Sequence, residues 1–503
     1  MDRTSRTGRT SRTGRTALVT FTLALAGCAL GPDYERPWTP AADAEGYLHA
    51  AAEAATLDAA AVDPWWRGFG DPAIAGLVEA ALEANTDLKA AAARVLEARA
   101  GLRQAGARLE PEVDFSVGAN RQKNSFVLPG VGRVSPIATT YSDDLSVAYQ
   151  ADLFGGLRRG RQAAWADLLA TEAARDTVAH AVISEVVRAR VRLSTLGRGA
   201  DLARAIRDSW AATQKSIDRR YRSGVASALE LRLARENLAS AEASVVGLEQ
   251  QLAQARLALD VLLGRRPGTG EAPAAQLAPL PQLAPVPVGL PAALLERRPD
   301  VRAAELRLAA ATARIGVAIA DLFPTLTLTG GAGRSSDVLD DLLETNALVY
   351  RAVAGVAAAI FDGGRRRAAV AAARARADEA AAGYAGAVLQ ALREVEDALV
   401  REAALREQLV FLEERVEEAR AADRIARGRF ERGVEELLGV LETERRMRAA
   451  EEALVDAQAS LWNARVDLYL ALGGDWTPDD GTGVADSRDS EIAVSTERPR
   501  EDS

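Results

Sequence analysis

The feature that most constrains this chain is that it repeats itself. "NTDLKAAAARV" at 85–95 aligns with "RPDVRAAELRL" at 298–308, an offset of 213 residues (298 − 85). At that offset Asp87 meets Asp300, Arg94 meets Arg307, Pro111 meets Pro324, Gly118 meets Gly331 and Arg121 meets Arg334. Farther along, "LFGGLRR" at 153–159 answers "IFDGGRRR" at 360–367. The segment "RYRSGVASALE" at 220–230 returns 209 residues later (429 − 220) as "RFERGVEELLG". Two copies, 77–264 and 291–473, therefore account for most of the 503 residues. A repeat of this kind overrides the length-based expectation of roughly three domains of about 150 residues, because like units must complete one another.

Each copy changes its hydrophobic period in the same order. Leu77, Ala81, Leu88, Ala92 and Val95 lie on helical spacing across 77–110, and Pro111 ends that run. Val113, Phe115 and Val117 then alternate with Asp114 and Ser116, as a strand does, and Leu145, Val147, Tyr149 and Ala151 alternate before Gly155 and Gly156. In the second copy Leu326 and Leu328 sit between Thr325, Thr327 and Thr329, whereas 348–360 is apolar on both sides. The stretches 119–141 and 332–347 read as loops. About 65 proline-free residues follow each glycine pair, enough for one helix of about 100 Å, with Gly197 and Gly199 as kink sites.

After the repeated corner a seven-residue period is sustained. Leu231, Leu238, Val245, Leu252 and Leu259 form one row, and Ala234, Ala241, Leu248, Ala255 and Leu262 its companion. The second copy offers Val440, Met447, Leu454, Leu461 and Leu468 beside Thr443, Ala450, Ala457, Ala464 and Ala471. Large residues facing mostly alanine suit closely spaced knobs-into-holes helices, and a helix merely laid on a globular core would drift from this period. Gly224 and Gly433 supply the left-handed residue of a helix reversal. The fold expected is mainly α with a small β part: a long coiled-coil helical barrel plus four strands per chain.

Composition narrows the function. Aromatic residues are 5 %, the net charge is −9 with dispersed basic residues, and there are two histidines, His49 and His180, and one cysteine, Cys28. Nothing here favours nucleic acid, a metal cluster, a cofactor or acid–base catalysis. "GGAGRSS" at 330–336 lacks the lysine of a phosphate loop. Arginines at 3, 6, 9, 12 and 15 precede the apolar run "ALVTFTLALAGCALG" at 17–31, which is too short to span a bilayer and reads as an export signal, 1–27. Leu25-Ala26-Gly27-Cys28 resembles the bacterial lipobox, which implies that Cys28 becomes the lipidated first residue of the mature chain; a plain signal peptide with an incidental cysteine is the alternative. Residues 28–76 are expected to form the lipid-anchored segment and the start of an equatorial region, 265–290 a linker, and 474–503, rich in Asp, Ser, Glu and Pro, a disordered acidic tail.

Four strands cannot close a barrel, and open edges are prohibitive in lipid. Three copies would supply twelve strands, an even number suited to an outer-membrane barrel. Alternation places Asp114, Ser116, Ser146 and Gln150 toward the lumen, and Val113, Phe115, Val117, Leu145 and Val147 toward lipid.

These residues resemble a known family. "CALGPDYERP" at 28–37, "DPWWRGFGDPAIAGLVEAALEAN" at 63–85, "LLERRPDVRAAE" at 294–305, "FPTLTLTGG" at 323–331 and "IFDGGRRR" resemble the TolC-like outer-membrane efflux factors, in particular their lipoprotein (NodT) branch. The resemblance implies a homotrimeric passive conduit in the outer membrane, lipid-anchored and extending into the periplasm. It would join a periplasmic adaptor protein and an inner-membrane pump of the RND type and discharge drugs or metals. It further implies that the adaptor docks at the helical corners, at Arg220, Gly224, Arg429 and Gly433, and that Glu230 and Glu442 lie near the acidic narrowing of the periplasmic end. This chain departs from the family in carrying Glu rather than Asp there, Phe430 where some relatives have an aromatic hydroxyl, and Gly439 at one acid position. A conduit for type I protein or peptide secretion is the alternative of the same class. A periplasmic coiled-coil scaffold is the alternative of another class.

Overall fold

The computed structural model describes residues 29–39, 41, 46–49, 64–130, 132–269, 294–340 and 347–474. The export signal, Cys28, most of the 265–290 linker and the acidic tail beyond Gly474 lie outside them. Helix numbering counts a short 3-10 segment as α1 (Trp65–Phe69). The chain continues through α2 (Pro72–Ala84), α3 (Thr86–Ala107), β1 (Glu112–Lys123), β2 (Phe126–Leu128), β3 (Gly132–Val134) and β4 (Ile137–Ala151). Helices α4 (Gly156–Arg222) and α5 (Ala228–Leu262) complete the first copy. The second copy comprises α6 (Leu294–Arg297), α7 (Pro299–Ala320), β5 (Thr325–Ser336), β6 (Leu348–Ala357), α8 (Arg365–Glu431) and α9 (Leu437–Ala471).

Two local readings change. The helical run at 77–110 is two helices, broken at Asn85. Its Oδ1 accepts from the backbone N–H groups of Asp87 and Leu88 at 2.9 and 3.1 Å, a side-chain cap that starts α3. The stretch 119–141 is not a loop, and neither is the start of 332–347, since β5 stays paired through Ser336. β1 runs on to Lys123 opposite Ile137, and β2 pairs with β3 beyond it. Polar residues are at home in a ribbon that leaves the apolar zone, so hydrophobic alternation could not mark its end. Gly197 and Gly199 lie within α4, which runs as a single 67-residue helix.

The sheet has the order β1-β4-β5-β6, antiparallel throughout. Directly opposed residues share a face. Val113 opposes Val147, Phe115 opposes Leu145, Tyr149 opposes Leu328, and Leu328 opposes Ala354. On the other face Asp114 opposes Ser146, Ser116 opposes Asp144, and Gln150 opposes Thr327. β6 reads as apolar on both sides because Val349 and Val353 fall on this second face, while Tyr350 and Val356 fall on the first.

The helices α4 and α8 carry the chain away from the sheet, and α5 and α9 bring it back. The buried residues of α5 are Leu231, Ala234, Ala241, Val245, Ala255 and Leu259, with Asp260; α9 buries Val440, Ala450, Ala457, Leu461, Ala464, Leu468 and Ala471 among others. All of those named except Asp260 are members of the two seven-residue rows. The thickest core lies where the "DPWWRGFGD" motif crosses the rods: Trp65, Phe69, Ile74, Val78, Ile183, Val187 and Trp462 are all buried there. Trp65 stacks on Tyr469 with centroids 5.4 Å apart, and Phe69 meets Trp462 at 4.9 Å. Asp71 caps α2 through the Ala73 N–H at 2.9 Å and pairs with buried Arg190 at 2.6 Å.

Both copies close on themselves in the same way. Asn85 Nδ2 donates to the Leu262 carbonyl at 2.9 Å; its counterpart, Arg298, donates through Nη1 to the Ala471 carbonyl at 3.2 Å. The glycine that follows each return helix, Gly264 or Gly473, has φ of +63° or +82° and lies against the start of its own copy. A Cβ on Gly264 would stand 2.4 Å from the Ala84 oxygen, and one on Gly473 2.9 Å from the Arg297 carbonyl carbon. Left-handed backbone alone costs an alanine about 1–2 kcal/mol; backbone overlap adds to that. Gly264→Ala and Gly473→Ala are expected to lower the thermal unfolding midpoint clearly more than Gly224→Ala, where the same φ meets open space. Equal losses at all three positions would show that closure of the copies is not under steric control.

Candidate functional site

The two corners share the same main-chain reversal. The Arg220 carbonyl accepts from the Val225 N–H at 2.8 Å, and the Arg429 carbonyl from the Val434 N–H at 3.1 Å. Gly224 (φ +75°) and Gly433 (φ +74°) occupy the left-handed position in each, with nothing within 4 Å of where a Cβ would stand. They are glycines for backbone reasons, and their surroundings are open. Arg220 and Arg429 are already engaged. The Arg220 guanidinium lies 5.2 Å over the Phe430 ring, which ties one corner to the other, and Arg429 pairs with Glu435 at 3.2 Å. Ile217, Leu231, Ala234 and Leu437 are buried together beneath the corners, with Phe430 packed against them.

The sequence reading missed a pair of apolar side chains on each corner. Val225 (68 % exposed) and Leu229 (67 %) on the first are matched in repeat register by Val434 (62 %) and Leu438 (66 %) on the second. Their signal was available: both pairs recur at the 209-residue offset although neither belongs to a buried row.

Glu230 and Glu442 are each held on their own helix. Ser227 and Glu230 form a reciprocal capping box on α5: the Ser227 N–H donates to Glu230 Oε2 at 2.6 Å, and the Glu230 N–H to Ser227 Oγ at 3.2 Å. The second copy has Glu436 at the cap and Gly439 at the Glu230 position, and its cap makes no side-chain bond. Glu442 instead lies one turn into α9. Arg445 and Arg446 donate to it at 2.6–3.0 Å, and these bonds hold its carboxyl down at about 2.

A polar node between the hairpins was not foreseen. Trp210 Nε1 on α4 donates to Glu444 on α9. Arg427 on α8 donates to Glu444 at 2.6 Å, to Asp423 at 2.7 Å and to Ser209 of α4 at 2.8 Å. Glu444 is buried, and burial pushes its carboxyl above the ordinary value although Arg427 and Arg448 pull it back. One indole in an otherwise aromatic-poor stretch was the only trace of this node in the sequence.

At the far end, the apolar sheet face presents Val113, Phe115, Val117, Leu145, Val147 and Val356 exposed. No helix among the described residues is long and apolar enough to cross a membrane. The chain directly after Cys28 is fastened at the foot of this sheet. The Leu30 N–H donates to the Phe154 carbonyl at 3.1 Å, and Arg159 reaches the Leu30 and Gly31 carbonyls at 3.2 Å and Asp33 at 2.8 Å.

A membrane-facing strand ribbon joined end-on to paired helical hairpins defines the class of outer-membrane channel proteins with a periplasmic helical extension. The comparisons agree. The profile of the family described as "Outer membrane efflux protein" matches residues 77–265 and 290–474. The pyoverdine export outer membrane protein OpmQ of Pseudomonas aeruginosa is 34 % identical over 433 residues, 84 % of this chain and 89 % of OpmQ. The toluene efflux pump outer membrane protein TtgF of Pseudomonas putida is 33 % identical over 465 residues, covering 91 % and 96 %. The solved structure of the outer-membrane channel OprN superposes with a TM-score of 0.81 at 33 % identity, covering 90 % of this chain and all of that one. The chain belongs to the outer membrane efflux protein family and is an outer-membrane channel component of an efflux pump.

The node yields a pH prediction of definite sign. A carboxyl raised in the folded state binds protons more readily there than in the unfolded chain between 4.5 and its raised value. The site's contribution to stability therefore grows as pH falls through that window. Thermal unfolding across it should show this gain in the parent protein and its loss in Glu444→Gln. Trp210→Phe, which strips Glu444 of a donor, is expected to cost about 1–3 kcal/mol at neutral pH. An unchanged acid profile in Glu444→Gln would count against the node as its source.

Proposed function

We propose that three copies of this chain form one passive conduit, with the four strands of each completing a twelve-stranded barrel (3 × 4) and the hairpins continuing it as a periplasmic tube. One observation carries this reading: the sheet with an apolar outer face ends in two unpaired edges, β1 and β6. In lipid those edges must be paired, and β6 of one copy with β1 of the next is the closure that repetition offers. The helices support it. α4 is covered by α2, α3, α5, α7 and α9, whereas α8, of equal length, packs mainly on α7 and α9 and buries little more than half as many side chains. The uncovered flank of α8 is where the α3 of a neighbouring copy would lie, as α7 lies on α4.

The corners then form the periplasmic tip, where a periplasmic adaptor docks and links the conduit to an inner-membrane pump of the RND type. The exposed apolar pairs Val225–Leu229 and Val434–Leu438 suit a protein contact, and two like corners per chain present six like sites. Arg220, Gly224, Arg429 and Gly433 shape that surface; the two arginines act by fixing Phe430 and Glu435. Cargo of small organic solutes fits the exported compounds named for OpmQ and TtgF better than a polypeptide does. Cys28 carries the lipid anchor, and fastening of Ala29–Asp33 at the sheet foot is consistent with an anchor held at the bilayer boundary.

Replacing Gly224 and Gly433 with glutamine should leave outer-membrane insertion normal and reduce efflux to the level of a strain lacking the channel. Retained export would exclude docking at the corners. In the same conduit the carboxylates of Glu230 and Glu442 are proposed to narrow the periplasmic end. Glu442→Gln with Glu230→Gln should raise single-channel conductance of the purified protein in planar bilayers; an unaltered conductance would remove both residues from any constriction.

A further inference from the structure

The inner sheet face changes character along β5. Thr325, Thr327 and Thr329 alternate on it, and then Gly331 and Gly333 leave it without side chains. Arg351 on β6 opposes Gly331, and Asp144 on β4 opposes Gly333. The Arg351 side chain crosses the intervening strand, and its Nη2 donates to Asp144 Oδ2 at 2.6 Å. A Cβ on Gly331 would stand 3.2 Å from Asp144 Oδ1 and 3.3 Å from Arg351 Cζ and Nε. The glycine therefore provides the trough in which the guanidinium lies close to the wall. Arg351 remains 58 % exposed and Asp144 22 %.

Around this pair the inner face is small and neutral: Ser116, Ser142, Ser146, Thr327, Thr329 and Gln150. The other charges of that face are on β1, at Asp114, which is in register with Ser146 and Gly331, and at Glu112 one step nearer the helices. Arg351 is thus the cation of an acidic band, and on the edge strand it borders the next copy. We propose that the Arg351–Asp144 pair sets the charge preference of the barrel section of the conduit, with Gly331 keeping the pair against the wall and the passage wide. This inference rests on the twelve-stranded closure proposed above. Removing Arg351 leaves its acids uncompensated and favours cations; removing Asp144 releases the guanidinium into the passage and favours anions.

The test uses the full-length protein in planar bilayers under a salt gradient, reading the reversal potential. Arg351→Gln should raise the cation-to-anion permeability ratio at least about twofold, and Asp144→Asn should lower it by a similar factor. Gly331→Val should reduce conductance with little change in that ratio. Because Cys28 is the sole cysteine, Arg351→Cys or Asp144→Cys can also be labelled within one open channel. A cationic thiosulfonate should shift the ratio toward anions and an anionic one toward cations. Conducting channels whose reversal potential ignores both the substitutions and the labels would overturn the proposal while leaving the conduit intact. If the parent protein forms no conducting channel, the conduit reading itself fails.

Discussion

Everything in this chain depends on backbone hydrogen bonding at a sheet edge. In water an edge strand is a liability; in hydrocarbon each unpaired group costs several kcal/mol, and no side chain can repair a whole row of them. A single chain holds a four-stranded sheet with two such edges. The duplication explains why repetition is the solution proposed. If a strand pair and its hairpin already fit beside a near-copy of themselves within one chain, the same fit serves between chains. The internal interface of α4 with α7 is thus a template for the interface that α8 lacks.

The two copies have kept some features and let others diverge, and the division follows physics. Where each copy must close upon itself, the chemistry is conserved in kind: a polar side chain at Asn85 or Arg298 bonding the last carbonyls of the return helix, and a left-handed glycine with no room for a Cβ. Where the copies face one another, they differ. Trp210 and Ser209 from the first hairpin meet Glu444 and Arg427 from the second, and Arg427 also holds Asp423 on its own helix. The capping box at Ser227 and Glu230 has no partner in the second copy. Asymmetry of this sort gives each hairpin a distinct neighbour, which a perfectly repeated rod would lack.

Much of this was legible in the sequence, and the exceptions have physical reasons. The seven-residue rows found the buried seam because period-locked packing is written in residue size, large against alanine. Strand faces followed from alternation, and the register confirms which residues share a face. The break at Asn85 was missed because a side-chain cap can interrupt a helical pattern without glycine or proline. The ribbon beyond residue 118 was missed because its strands have lost the apolar alternation by which strands are recognised. The proposed docking and gate residues were named from resemblance, and the structure adds what they touch: Arg220 rests on Phe430, Arg429 on Glu435, Glu230 on its own helix start, and Glu442 between two arginines. The Glu444 node and the Arg351–Asp144 pair were invisible because both join residues more than 200 positions apart along helices or strands unremarkable in themselves.

Buried charge in an alanine-rich rod calls for its own account. Arg465 meets Glu402 at the equator with a bond of 3.0 Å, supported by Arg406 at 2.9 Å. Arg190 meets Asp71, and Arg427 meets Glu444 lower down. Desolvation makes such pairs poor sources of net stability compared with well-packed apolar residues. Their use is in register. Rows of leucine against alanine are nearly the same at every heptad, so two long helices could slide by seven residues with little change in packing. A slide that separates Arg465 from Glu402, or Glu444 from Arg427 and Trp210, strands a charge in the interior at a cost of several kcal/mol. The rods can therefore be long and uniform and still meet in a single alignment. That alignment brings both corners to the same level, with the two like surfaces side by side.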